Sequence, residues 1–122
     1  MKTGIVIFAH GSRLESANDA VRRTAAAMAA SGGYHLVAAA FLEGGQPDLP
    51  AAAAGLAGQG ATKIVVIPYF LTLGTHMQRD LPLIVQGILE NHPGLEIEVT
   101  TPLDGHPALE QILIDRARKA LV

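Results

Sequence analysis

Four apolar runs recur along this chain, GIVIFA, HLVAAAFL, KIVVIPYF and LEIEVTT, and each gives way to a turn and then to a segment with helical periodicity. This alternation is the strongest constraint on the fold. Strands separated by helix-length crossovers cannot pair as hairpins, so they assemble in parallel, and right-handed crossovers then set the helices on the two faces of one sheet. The near-continuous apolar character of IVIFA and VVIPYF agrees, because strands of a parallel sheet are buried on both sides.

After the first run, Leu14, Ala17, Val21, Ala25 and Met28 mark a helix, which Gly32-Gly33 ends. The second run leads through Gly44-Gly45 to Asp48 and Pro50, which open an alanine-rich helix closed by Gly58 and Gly60. The third leads to a helix from His76 to about Asn91, with Met77, Leu81, Ile84 and Ile88 on one face and His92-Pro93-Gly94 as its stop. Beyond the fourth, Pro107 starts a last helix whose Leu109, Ile112, Leu113 and Leu121 are expected to face inward. The expected fold is α/β: a three-layer, open, parallel four-stranded sheet of βαβαβαβα order, flavodoxin-like or similarly doubly wound. At 122 residues the chain fits a single domain, 1–122.

Open parallel sheets bind ligands beyond the carboxyl ends of their strands. His10, Glu43 and His76 each stand just past one of the first three strands, at equal intervals of 33 residues, so they occupy equivalent positions in successive units. Two imidazoles and a carboxylate suit a borderline divalent ion such as cobalt, nickel, iron or zinc, and three protein ligands leave coordination positions open. The chain has no cysteine, so a metal must be held by nitrogen and oxygen.

Other classes are disfavoured. A net charge of -2 without a run of Lys or Arg argues against a nucleic-acid partner. No apolar stretch has the length of a membrane span and residues 1–9 do not read as a signal peptide, so no membrane association is expected and the cytoplasm is the expected location. A receiver-like signalling module is disfavoured because strand one ends in Ala9-His10 and lacks an acidic pair. Charged residues make up 16%, against roughly 25% in typical soluble domains, which leaves apolar surface for a partner or ligand.

Taken together, His10-Gly11-Ser12-Arg13, Phe41-Leu42-Glu43 with Pro47, Gly74-x-His76-x-x-x-Asp80-x-Pro82 and Gly105-His106-Pro107 resemble the small class II chelatases over nearly the whole chain. Gly44-Gly45 and Leu73 depart from the usual residues of that family at loop positions. The resemblance is to sirohydrochlorin cobaltochelatases, which insert a divalent metal into a tetrapyrrole on the way to cobalamin, with iron and nickel relatives. It implies His10 and His76 as catalytic histidines, Glu43 completing a metal site with them, and an active site near a homodimer interface. It also implies no tightly bound cofactor, the divalent metal (Co2+, or Fe2+ or Ni2+) being a substrate.

The residue types fit that chemistry. Metallation removes two pyrrole protons while the ion sheds water, and a neutral imidazole can bind the ion or accept a proton near neutral pH. A flat apolar ring edged by carboxylates calls for an apolar wall, with Tyr69, Phe70, Leu71 and Leu73 as candidates. It also calls for anion-binding groups, for which Ser12 and Arg13 open the first helix and Thr75 the third. The rival reading is a non-catalytic carrier of metal or tetrapyrrole.

Overall fold

The structure, a computed structural model, describes residues 2–122. Four strands and four helices alternate: β1 (Lys2–Ala9), α1 (Glu15–Gly32), β2 (Val37–Phe41), α2 (Leu49–Gly58), β3 (Ala61–Pro68), α3 (Thr75–Asn91), β4 (Glu96–Val99) and α4 (Pro107–Ala120). The strands form one parallel sheet in the order β2-β1-β3-β4. The α/β expectation holds, with two differences of extent. Strand three ends at Pro68, so Tyr69 and Phe70 lie in the loop beyond it, and β4 is only four residues long.

The chain leaves β1 toward β2 on one side and then crosses back to β3 on the other. With right-handed connections this reversal puts α1 on one face and α2 and α3 on the opposite one. Val21 and Ala25 of α1 cover Ile5, Ile7, Ala9, Ala39 and Phe41. On the other face Leu49, Ala52, Ala53 and Leu56 of α2, with Met77, Leu81 and Ile88 of α3, cover Val6, Phe8, Ala40, Ile64 and Val66. Phe8, 1% exposed, is worth about 3–5 kcal/mol against truncation to alanine. α2 starts where Asp48 accepts the Ala51 N–H at 2.9 Å, with Pro50 in the first turn.

On β4, Glu96 and Glu98 stand on the α1 side of the sheet, in register with Lys63 and Val65, and Lys63 Nζ pairs with Glu98 at 3.3 Å. The strand forms the outer edge of the sheet.

The last helix corrects an expectation. Leu109 is half-buried, but Ile112 is 48% exposed, Leu113 70% and Leu121 86%, and α4 contains no buried residue. Among the described residues α4 packs against no other strand or helix. The cause lies in the connection. Thr100 donates to Val66 O, Leu103 to Phe70 O and Asp104 to Leu71 O, tying the segment after β4 to the loop after β3 and carrying the chain past the rim of the sheet. His106 then caps the helix, its Nδ1 accepting the Ala108 N–H at 3.0 Å.

Candidate functional site

Because β1 is the strand between β2 and β3, the loop at its carboxyl end is flanked by the loops leaving both neighbours. The sequence reverses direction at the β1/β3 boundary, and a crevice at the carboxyl edge is the expected outcome there. His10 stands at that point. Glu43 reaches it from the β2 side, and Phe70 from the β3 side.

Local geometry forces His10 and Glu43 together. Glu43 N–H donates to His10 O at 3.0 Å and Leu42 N–H to Ala9 O at 2.9 Å, extending the β1–β2 ladder by one step. Gly11 then turns with φ +92°, and a Cβ there would lie 1.7 Å from Glu43 O, so only glycine permits the approach. The side chains meet with His10 Nε2 3.7 Å from Glu43 Oε1, too long for a direct hydrogen bond, while both remain largely solvent-accessible. His10 Nδ1 lies 3.3 Å from Gly11 O. A carbonyl only accepts, so this contact calls for a proton on Nδ1 and leaves Nε2 as the ring nitrogen that faces the carboxylate. Phe70 packs its ring edge-on against both Phe8 and His10, at centroid distances of 6.1 and 6.4 Å, and so links the core to the imidazole.

A residue that sequence reasoning passed over holds the two loops. Asn18 of α1 is 1% exposed. Its Oδ1 accepts the Ser12 N–H at 2.9 Å, and its Nδ2 donates to Ser12 O at 2.8 Å and Gly44 O at 3.0 Å. Two carbonyls opposite one end and an N–H opposite the other fix the amide orientation. Gly44 (φ +72°) and Gly45 make room for this clamp, since a Cβ at Gly45 would come within 2.8 Å of Asn18 Nδ2. A signal was present: position 18 lies three residues before Val21 and seven before Ala25, on the stripe that the helix turns inward, so a polar residue there is buried. On the outer side, Arg22 pairs with Glu15 and Asp19, donates to Gln46 O at 2.8 Å and lies over the Phe41 ring at 5.1 Å. The two carboxylates, Glu15 first, hold its already high pKa further up.

His76 is delivered to the same edge, in the first turn of α3, but does not join the pair. Among the described residues no three His, Asp or Glu side chains lie close enough together to hold one ion. His76 Nδ1 is 3.2 Å from an Arg79 nitrogen, and Arg79 also pairs with Asp80 at 3.2 Å. A guanidinium has donors only, so Nδ1 accepts and His76 carries its proton on Nε2 in this arrangement.

The remaining candidates divide. Ser12 is half-buried, and its Oγ accepts the Leu14 N–H at 3.0 Å; Arg13 and Thr75 are exposed. Tyr69 is 40% and Leu71 64% exposed, whereas Phe70 and Leu73 pack partly against the core.

The family described as CbiX matches residues 4–120. The sirohydrochlorin cobaltochelatase of Methanococcoides burtonii is 34% identical to this chain over 128 aligned residues, covering 98% of each. The chloroplastic sirohydrochlorin ferrochelatase of Arabidopsis thaliana is 30% identical, covering 97% of this chain and 52% of its own. Among solved structures, a CbiX protein from Marinobacter aquaeolei superposes with a TM-score of 0.85 at 26% identity, over 98% of this chain and 97% of its own. Sequence and fold agree along almost the full length, and the chain is a member of the CbiX family.

Proposed function

We propose that this protein is a chelatase that inserts a divalent metal, with Co2+ as the favoured substrate ion, into sirohydrochlorin in the cytoplasm. The observation that carries the reading is the His10–Glu43 pair at the carboxyl edge, in which an imidazole nitrogen and a carboxylate face the same solvent-open space. Family membership supports the tetrapyrrole as partner, since relatives of nearly equal length bear the name sirohydrochlorin cobaltochelatase. The ferrochelatase of Arabidopsis keeps Fe2+ in the same frame, and Ni2+ suits the same nitrogen and oxygen donors.

In this reading His10 Nε2 and Glu43 meet the incoming ion first. His76 swings away from Arg79 to become the third ligand, and as the ion passes into the ring one histidine takes one of the two pyrrole protons while the other is released to the solvent that reaches this open site. Glu43 offsets the charge of the ion. Tyr69 and Leu71, with the accessible parts of Phe70 and Leu73, form the apolar wall. Arg13, Ser12 and the N–H groups at Thr75 meet the peripheral carboxylates of the substrate. The chain works as one domain, and the open site is closed by a second copy in a homodimer. No helix among the described residues is long and apolar enough to cross a membrane.

The test tracks the absorbance of sirohydrochlorin with cobalt over many equivalents of product per site, beside His10→Ala and a protein-free blank. Multiple turnovers that vanish in the variant support an enzyme using this site. Binding that stops at one equivalent across cobalt, iron and nickel moves the carrier reading ahead.

A further inference from the structure

Tyr69, Phe70, Leu71 and Leu73, the apolar wall described above, all come from the loop between β3 and α3. α3 covers one face of the sheet and α1 the other, so these residues border His10 on one side only. On the other side the chain leaves His10 through Gly11, Ser12 and Arg13 and presents Leu14, which is 65% exposed. Leu71, across the edge, is 64% exposed. Among the described residues Leu14 packs into neither core cluster.

Leu14 is a poor choice for local structure. It occupies the N-cap of α1 with extended backbone (φ -82°, ψ 105°), where Ser, Asp or Asn would accept an N–H of the first turn and leucine accepts none. Water also surrounds most of its side chain. A residue that weakens its helix and gains no burial is expected where function holds it. Its backbone, by contrast, is fixed: the N–H donates to Ser12 Oγ at 3.0 Å and the carbonyl accepts the Ala17 N–H at 2.9 Å. The Asp104 N–H donates to Leu71 O at 2.8 Å in the same way. Both leucines thus stand on set backbones with apolar side chains in water, on opposite sides of His10.

We propose that Leu14 is a substrate-binding residue that positions the ring: it carries the α1-side half of the tetrapyrrole, opposite Leu71, while His10 and Glu43 address the ring centre. The inference rests on the reading that a tetrapyrrole occupies this edge. A flat ring lying across the edge overhangs His10 on both sides, and a wall on one side alone would let it tilt away from the ion. Contact with the ring removes apolar surface of both leucine and ring from water. Arg13, exposed and next to Leu14, meets a peripheral carboxylate where the apolar ring ends. Apolar support followed by a cation matches a molecule that is apolar in its body and acidic at its rim.

Leu14→Asn separates the two demands on this position. The capping side chain raises the melting temperature by roughly 4 °C. Loss of the apolar contact raises the KM and the dissociation constant of metal-free sirohydrochlorin roughly tenfold and leaves kcat within about twofold. Asparagine is chosen over aspartate because it adds no charge to repel the carboxylates of the ring. Leu14→Met, apolar but unable to cap, keeps the wild-type melt and restores most of the affinity. A higher melt for Leu14→Asn with KM and dissociation constant within about twofold of wild type makes Leu14 an ordinary surface residue; it overturns the proposal and leaves the chelatase reading standing. Equal losses of affinity in Leu14→Met and Leu14→Asn also overturn it, since the loss then does not follow apolarity. A wild-type protein that binds sirohydrochlorin through Leu14 but completes no second turnover keeps the contact and ends the chelatase reading. One that binds no sirohydrochlorin overturns both.

Discussion

Asn18→Ala is the most informative single change, because it removes the only buried polar side chain among the described residues without touching a candidate ligand. Three hydrogen bonds disappear, one from the Ser12 N–H and two to the Ser12 and Gly44 carbonyls. These partners are part-buried, so water recovers some of the loss, and about 1 kcal/mol for each gives a destabilisation of about 3 kcal/mol. For 122 residues the unfolding entropy is roughly 0.26 kcal/mol/K, so the melting temperature should fall by about 12 °C. The loops that carry His10 and Glu43 are then joined only by the backbone bonds at Leu42 and Glu43, and cobalt affinity should drop on the order of tenfold, as when a group supporting a ligand is lost. Thermal melts and cobalt titration by calorimetry at a temperature where the variant is folded read the two effects separately. Asn18→Asp should be no better than alanine, since it keeps the acceptor for Ser12 but sets a second acceptor against two carbonyls. A melting temperature within about 2 °C of wild type, with unchanged cobalt affinity, would refute the clamp.

Two further changes probe the same edge. Gly11→Ala places a Cβ against Glu43 O at a positive φ, and it should cost at least about 2 kcal/mol and weaken cobalt binding together; a variant with the wild-type melt and titration would show that the loop yields freely. Arg79→Ala frees Nδ1 of the exposed His76, so stability should change by less than about 0.5 kcal/mol while cobalt affinity holds or rises; a tenfold loss of affinity would mean that Arg79 supports the site instead of competing for the imidazole.

Much of this was legible because the chain repeats one unit. Strand ends are marked by glycine and proline, the connection length demands parallel pairing, and the register of His10 and Glu43 comes from both. What stayed hidden depends on atoms that periodicity does not locate. The equal spacing of His76 places it at the correct edge, yet the i, i+3 neighbour Arg79 turns its ring to another partner, a pairing that helix geometry alone makes possible. The apolar stripe of α4 does not form an inward face of the core, since periodicity marks an apolar face but not where the connection before it will carry the helix. The alanine-rich α2 posed no such question, because its position between β2 and β3 left it a sheet face to cover.

The outer strand has a bearing on how copies of the molecule avoid one another. An exposed edge invites a neighbour to add its own strand and so begin aggregation, and short length and charge are the usual defences. β4 has both: four residues, with glutamate at every second position. Two such edges meeting in antiparallel register would set carboxylates of Glu96 and Glu98 against their counterparts, with Lys63 already engaged by Glu98 and offering little relief. Growth of a continuous sheet from copy to copy is thereby discouraged at this edge, and the solubility of the protein at high concentration should depend on those two glutamates more than on any other pair of surface charges.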